Sequence, residues 1–71
     1  MTKIIIKNEN HEVIGSAKSV KSAMSFVEHY ACLSLDPEAK PRSVKKDLDS
    51  MGFCRIHTDA FSVPFILEVA N

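Results

Sequence analysis

The sequence predicts a small α+β domain, a two-layer sandwich in which two helices cover one face of an antiparallel sheet of about four strands. Three observations indicate this fold. Short β-rich segments flanked by turn residues stand at both ends of the chain, a helical period of apolar residues begins after Ser19, and a shorter helical period follows two prolines. The predicted order is β-β-α-α-β-β, and the 71 residues allow one domain, 1–71.

The first hairpin is predicted from the segment Lys3–Lys7, which reads Lys-Ile-Ile-Ile-Lys. Residues 8–11 follow with two asparagines, a residue type that tolerates left-handed backbone in turns. Val13 and Ile14 then resume the apolar pattern as far as Gly15. Two β-rich segments joined by a short polar turn are typical of a hairpin.

The first helix is predicted to begin after Ser19, whose hydroxyl is suited to cap a free backbone N–H group. Pro37 disfavours helical geometry at the residue before it, so the helix should end near Leu33 to Leu35. The apolar stripe that defines this helix consists of Val20, Ala23, Met24, Val27, Tyr30 and Ala31.

The second helix is predicted after a loop spanning 36–42, with Ser43 as its N-cap. Gly52 suits the left-handed position just after the helix. The apolar positions of this helix are Val44, Leu48 and Met51.

Two strands are predicted at the end of the chain, separated by a turn at 59–62. In the segment 53–58, Phe53, Arg55 and His57 alternate with a second set that faces the other side. The last strand spans 63–69 and contains Pro64, which lacks a backbone donor. We therefore expect this strand to lie at an edge of the sheet or to be bulged.

Composition excludes several classes of function. The chain is too short for the large barrel and dinucleotide-binding enzyme folds. Gly15 and Gly52 are its only glycines, so glycine-rich phosphate loops are absent from the sequence. Nine basic residues balance nine acidic ones, which argues against a strongly basic nucleic-acid binder and against an acidic DNA mimic. We expect a protein that is not an enzyme and needs no cofactor.

Neither a signal peptide nor a membrane span is expected. Lys3 and Lys7 interrupt the first apolar segment, and the uncharged run Ala60–Leu67 is too short to span a bilayer. Two cysteines, Cys32 and Cys54, are too few for a disulfide-stapled secreted domain. The sequence thus predicts a cytoplasmic protein with reduced thiols.

The cysteines lie at spacings that resemble a metal ligand set. His29 and Cys32 are three residues apart on the first predicted helix, and Cys54 and His57 are three apart on a predicted strand. An odd step along a strand places its two side chains on opposite faces, which opposes both a tetrahedral metal site and a Cys54–His57 nucleophile pair with Asp59. We therefore assign no metal and no catalytic residue.

A basic segment surrounds the predicted start of the second helix. Cations and the free N–H groups of a helix start together suit a phosphate, so this segment is the basis of an alternative function, a small nucleic-acid-binding regulator. Lys18 and Lys21 would extend the patch. The residues expected to contact nucleic acid or phosphate are Lys40, Arg42, Lys45 and Lys46.

Surplus apolar residues favour a different function. Some lie outside the main stripes, and apolar residues on both faces of a strand suggest that a second copy of the chain or a larger partner covers the outer face. The preferred hypothesis is a non-catalytic module that inhibits or modulates a larger protein or nucleoprotein complex, of the kind that phages and mobile elements encode. The residues expected to contact this partner are Phe26, Leu33, Phe61 and Ile66.

Overall fold

The computed structural model describes residues 3–70 and confirms the predicted fold class. Four antiparallel strands form one sheet in the order β2-β1-β4-β3, and two helices pack on one of its faces. The elements are β1 (Lys3–Lys7), β2 (Val13–Ala17), α1 (Val20–Ala31), α2 (Pro41–Met51), β3 (Phe53–His57) and β4 (Pro64–Ala70).

The core lies between the helices and the inner face of the sheet. Ile4 and Ile6 pair with Val69 and Leu67 in the two central strands, and side chains that are paired in this way share one face. Both isoleucines and Leu67 are buried against the apolar stripes of the helices. The buried helix residues are Ala23, Met24, Val27, Val44 and Leu48.

The β1–β2 turn uses its asparagines in an unexpected way. The Oδ1 atom of Asn8 accepts hydrogen bonds from the backbone N–H groups of Asn10 and Glu12. The left-handed residue of this turn is His11, at φ 63°, rather than an asparagine. Asn8 therefore stabilises the turn through its side chain rather than through left-handed backbone. Hydrogen bonding of the side chain to nearby backbone is a second reason why asparagine is common in turns.

Helix α1 begins as predicted and ends earlier than predicted. The Ser19 hydroxyl accepts a hydrogen bond from the backbone N–H of Ser22. Cys32 adopts left-handed backbone at φ 56°, which ends the helix at Ala31 and reverses the chain. The reversal allows Leu35 to form an antiparallel bridge with Thr58, a tertiary contact that the Pro37 signal does not anticipate.

Helix α2 begins at Pro41, earlier than predicted. The prediction that Ser43 is its N-cap was wrong, and the last two residues of the predicted loop 36–42 belong to the helix. Lys40 is the N-cap residue, without a side-chain capping bond, and Pro41 occupies the first helical turn. Proline suits that position because its fixed φ is helical and its missing N–H would have no partner there. Gly52 ends the helix in left-handed backbone at φ 81°, as predicted.

The prediction that Pro64 places the last strand at an edge or makes it bulge was also wrong. β4 is a central strand, paired with both β1 and β3. Pro64 is its first residue, and β1 ends at Lys7, which pairs with Ile66. No strand residue of β1 therefore stands opposite Pro64, and on the other side the carbonyl of its β3 partner His57 accepts a hydrogen bond from the Asp36 N–H.

Phe26 of α1 lies directly over Gly15 of β2. A Cβ atom added at Gly15 would stand 2.4 Å from the Phe26 Cζ atom. The Phe26 ring also stacks on Tyr30, with centroids 6.2 Å apart. The half-buried ring thus fills the space that a side chain at position 15 would need, which joins the helix to the edge of the sheet.

We expect Gly15→Ala to destabilise the domain by about 1–3 kcal/mol, the range for overpacking, because the methyl group must displace the Phe26 ring. Urea denaturation of Gly15→Ala in wild-type and Phe26→Leu backgrounds measures the coupling. The cost should be smaller in the Phe26→Leu background. An equal loss of stability in both backgrounds would contradict a contact between the Phe26 ring and a side chain at position 15.

Candidate functional site: the Phe61 loop and the basic cleft

The connection between β3 and β4 spans residues 58–63, and its outer part, the loop 59–62, presents Phe61 to solvent. Phe61 is 88% exposed, more than any other large apolar side chain among residues 3–70. Its backbone lies in the left-handed region at φ 65°, and so does that of Ser62 at φ 46°. Left-handed backbone costs a residue other than glycine roughly 1–2 kcal/mol. The chain therefore holds a large apolar residue in water and in a disfavoured conformation.

Thr58 fixes the base of this loop. Its side chain is 1% exposed, and its hydroxyl donates to the Ala60 carbonyl at 2.6 Å and accepts from the Val63 N–H at 3.0 Å. The Thr58 N–H also donates to the Val63 carbonyl. On the other side, the Asp59 N–H donates to the Ser34 carbonyl. These bonds tie both ends of the loop to the body of the domain and hold its conformation despite the local strain.

The four residues predicted to contact a partner do not form one surface. Phe61 lies at the loop tip, and Ile66 lies on the outer face of β4. Phe26 packs over Gly15, and Leu33 is half-buried just after the end of α1. Of the four, Phe61 alone is strongly exposed.

The outer face of the sheet alternates apolar with charged residues. Ile5 and Ile66 are half-buried there, and they stand opposite Glu68 and Lys7 in the β1–β4 pairing. Lys7 and Glu68 form a salt bridge across this face. The face also carries Phe53, which is 48% exposed and is not among the residues predicted to contact a partner. Mixed composition of this kind is compatible with contact with water.

The starts of the two helices meet at a basic cleft of about 500 Å³. Lys21 of α1 lines this cleft together with Arg42 and Lys45 of α2. Lys40 lies in a neighbouring groove that also includes Lys21, and Lys46 is exposed on α2 outside the cleft lining. Lys21, which was predicted to extend the basic patch, thus lies beside Arg42 and Lys45. These are two of the four residues predicted to contact nucleic acid or phosphate.

The four residues of the metal-like spacing do not form one cluster, although His29 and Cys32 line the same pocket at the end of α1. Cys54 is buried on the inner face of β3, whereas His57 belongs to the outer face. Cys32 is exposed at the end of α1, where its thiol donates to the His29 carbonyl. Within residues 3–70, no three His, Cys, Asp or Glu side chains form a group able to hold a metal ion.

The two thiols lie in different environments. Burial, together with a hydrogen bond from Sγ to Asp47 at 3.6 Å and the charge of that carboxylate, raises the pKa of Cys54 to about 11 from 9.0. All three causes disfavour the thiolate, which is the reactive form. Cys32 is exposed, and its thiol donates to a backbone carbonyl, that of His29.

We expect a thiol reagent at pH 8 to modify one thiol per native chain, at Cys32. Cys54 should react at least about a hundredfold more slowly, because few of its thiols are ionised and the side chain is buried. Timed labelling followed by peptide mass analysis measures both rates, and Cys32→Ser should remove the fast reaction. Equal rates in the native chain would contradict the assigned environment of Cys54.

No helix within residues 3–70 is long and apolar enough to cross a membrane. Comparison with protein-family models, with curated proteins and with solved structures finds no significant match for this chain. Function must therefore be inferred from the Phe61 loop and the basic cleft themselves.

Proposed function

We propose that this chain is a non-catalytic protein-binding module that inserts Phe61 into an apolar pocket of a larger protein or nucleoprotein complex and thereby inhibits or modulates it. The observation that supports this most is the conformation of the loop: Phe61 is 88% exposed at φ 65°, at the tip of a loop tied at both ends. The exposure of the ring does not benefit the isolated fold, and glycine or asparagine would adopt the left-handed backbone of this turn at lower cost. Both features are explained if the ring is buried on binding.

Phe61 suits the role of an interface anchor for energetic reasons. Complete burial of a phenylalanine side chain contributes about 1.5–3 kcal/mol, and aromatic anchors at the centre of an interface commonly dominate its affinity. Because Thr58 already fixes the loop, binding orders little additional backbone, which reduces the entropic cost of association. Asp59 and Ser62 are exposed in the same loop, and polar residues of this kind are typical of the rim around such an anchor.

Recovery of complexes from lysate of the source cells tests the proposal. Tagged wild type, Phe61→Asn and Phe53→Asn are compared by quantitative mass spectrometry, with and without nuclease. Phe53 is the matched control, since it is another exposed phenylalanine but lies on a regular strand. We expect one protein complex at near-stoichiometric level with wild type and Phe53→Asn, resistant to nuclease and lost with Phe61→Asn.

Two results would contradict the proposal. Recovery of the bait alone would indicate that the loop has no partner in those cells. A complex that disappears with nuclease would instead favour the nucleic-acid-binding alternative. We also propose a cytoplasmic location, which the two free thiols, Cys32 and Cys54, support.

A further inference from the structure

The basic cleft has an electrostatic arrangement that the fold itself does not need. Lys21, Arg42 and Lys45 line one concavity although they come from two helices about 20 residues apart in sequence. Within residues 3–70, none of the three has an acidic partner within salt-bridge distance; the salt bridge there joins Lys7 to Glu68. The three cationic side chains are thus exposed around one cleft, and no acidic neighbour compensates their charge within residues 3–70.

The starts of the two helices also disfavour these cations. Neither α1 nor α2 has an acidic residue in its first turn. The cations of the cleft therefore stand near the positive ends of both helix dipoles, where cations are disfavoured. A bound anion would offset the repulsion among the three cations and their repulsion from the helix starts, because it attracts both the side chains and the positive helix ends.

From this arrangement we infer that the cleft formed by Lys21, Arg42 and Lys45 binds the phosphate group of a small phosphorylated ligand. Arginine offers paired N–H donors that match two phosphate oxygens, and the two lysines add charge. The cleft of about 500 Å³ is open to solvent and large enough to admit a phosphate group.

The surroundings favour a compact ligand over a nucleic-acid strand. Among the described residues 3–70, no aromatic side chain lines the cleft, so these residues offer bases no stacking platform there. Asp47 and Asp49 follow on α2, and Asp36 and Glu38 lie in the loop before it. These acids would repel a phosphate backbone that continued beyond the cleft in those directions.

Titration with pyrophosphate, followed by ¹H–¹⁵N correlation spectra at constant ionic strength, tests the inference. We expect saturable shifts at residues 19–21 and 41–45, and a melting temperature that rises with pyrophosphate but not with sodium chloride of equal ionic strength. Arg42→Gln should weaken binding at least about fivefold, which is the loss of one charge-assisted contact. Lys46→Gln, the matched control on the same helix, should change affinity less than about twofold.

A parallel titration with a single-stranded oligonucleotide separates the two sources of phosphate. Tighter binding of the oligonucleotide, with no saturable response to pyrophosphate, would overturn the inference in favour of nucleic acid. Identical responses to pyrophosphate and chloride would overturn it as well. Equal weakening by Arg42→Gln and Lys46→Gln would also overturn it, because it would show general charge attraction rather than a site. The Phe61 proposal is unaffected by all three results.

Discussion

Phe61→Asn is expected to make the domain more stable by about 1 kcal/mol while it abolishes partner binding. Asparagine tolerates left-handed backbone better than phenylalanine does, so the substitution relieves the strain at φ 65°. The Phe61 side chain is almost fully exposed, so its removal sacrifices little packing. For a domain of this size the gain corresponds to a rise in melting temperature of about 4–8 °C, measurable by circular dichroism.

Phe61→Ala provides the control for this experiment. It removes the ring but keeps a Cβ atom in left-handed backbone, so the strain remains and stability should change by less than about 0.5 kcal/mol. Both variants should lose the partner. A Phe61→Asn variant that is less stable than wild type would show that the ring supports the fold, and the proposed role of the loop would lose its basis.

Thr58→Val is expected to destabilise the domain by about 2 kcal/mol. Valine keeps the shape of threonine but removes the hydroxyl that bonds the Ala60 carbonyl and the Val63 N–H, and leaves two partly buried groups without their partner. Because these bonds fix the base of the loop, partner affinity should fall as well. Urea denaturation measures the first effect, and titration of the recovered partner measures the second.

Thr58→Ser separates hydrogen bonding from packing. Serine keeps the hydroxyl and loses one buried methyl group, so it should retain the partner affinity despite a cost of about 1 kcal/mol. Should Thr58→Val match wild type in stability, the two hydrogen bonds would not be what holds the loop.

Local chemistry in the sequence predicted much of the fold. The hydroxyl of Ser19 and the missing side chain of Gly52 mark helix ends by their own properties, and both predictions were confirmed. The alternation in β3 likewise placed Cys54 and Arg55 on opposite faces, and the structure buries Cys54 and exposes Arg55. In these cases the residue and its neighbours determine the outcome, so no tertiary information is needed.

Predictions at the prolines failed because they depended on tertiary structure. Whether Pro64 harms a central strand depends on where β1 ends, which the residues around Pro64 do not specify. Pro41 was assigned to the loop, although proline also favours the first turn of a helix. The sequence is compatible with either role of each proline, and packing selects between them.

The candidate site was predicted only as separate residues. Phe61 was selected for its position in a turn, but the left-handed backbone beneath it is a property of the folded loop. Phe26 was grouped with it although its ring packs over Gly15, a contact between two elements that periodicity does not reveal. The loop contacts of Thr58 were missed because a threonine at a strand end has no distinctive spacing.

The most direct test of the central claim is a calorimetric titration of the recovered partner with wild type, Phe61→Asn and Phe53→Asn. If Phe61 is the anchor, its replacement should raise Kd at least about a hundredfold, the size expected for a dominant interface residue. Phe53→Asn should stay within about threefold of wild type, within the small effect of a residue outside the interface core. Equal Kd values for wild type and Phe61→Asn would contradict the claim that this chain binds its partner through the Phe61 loop.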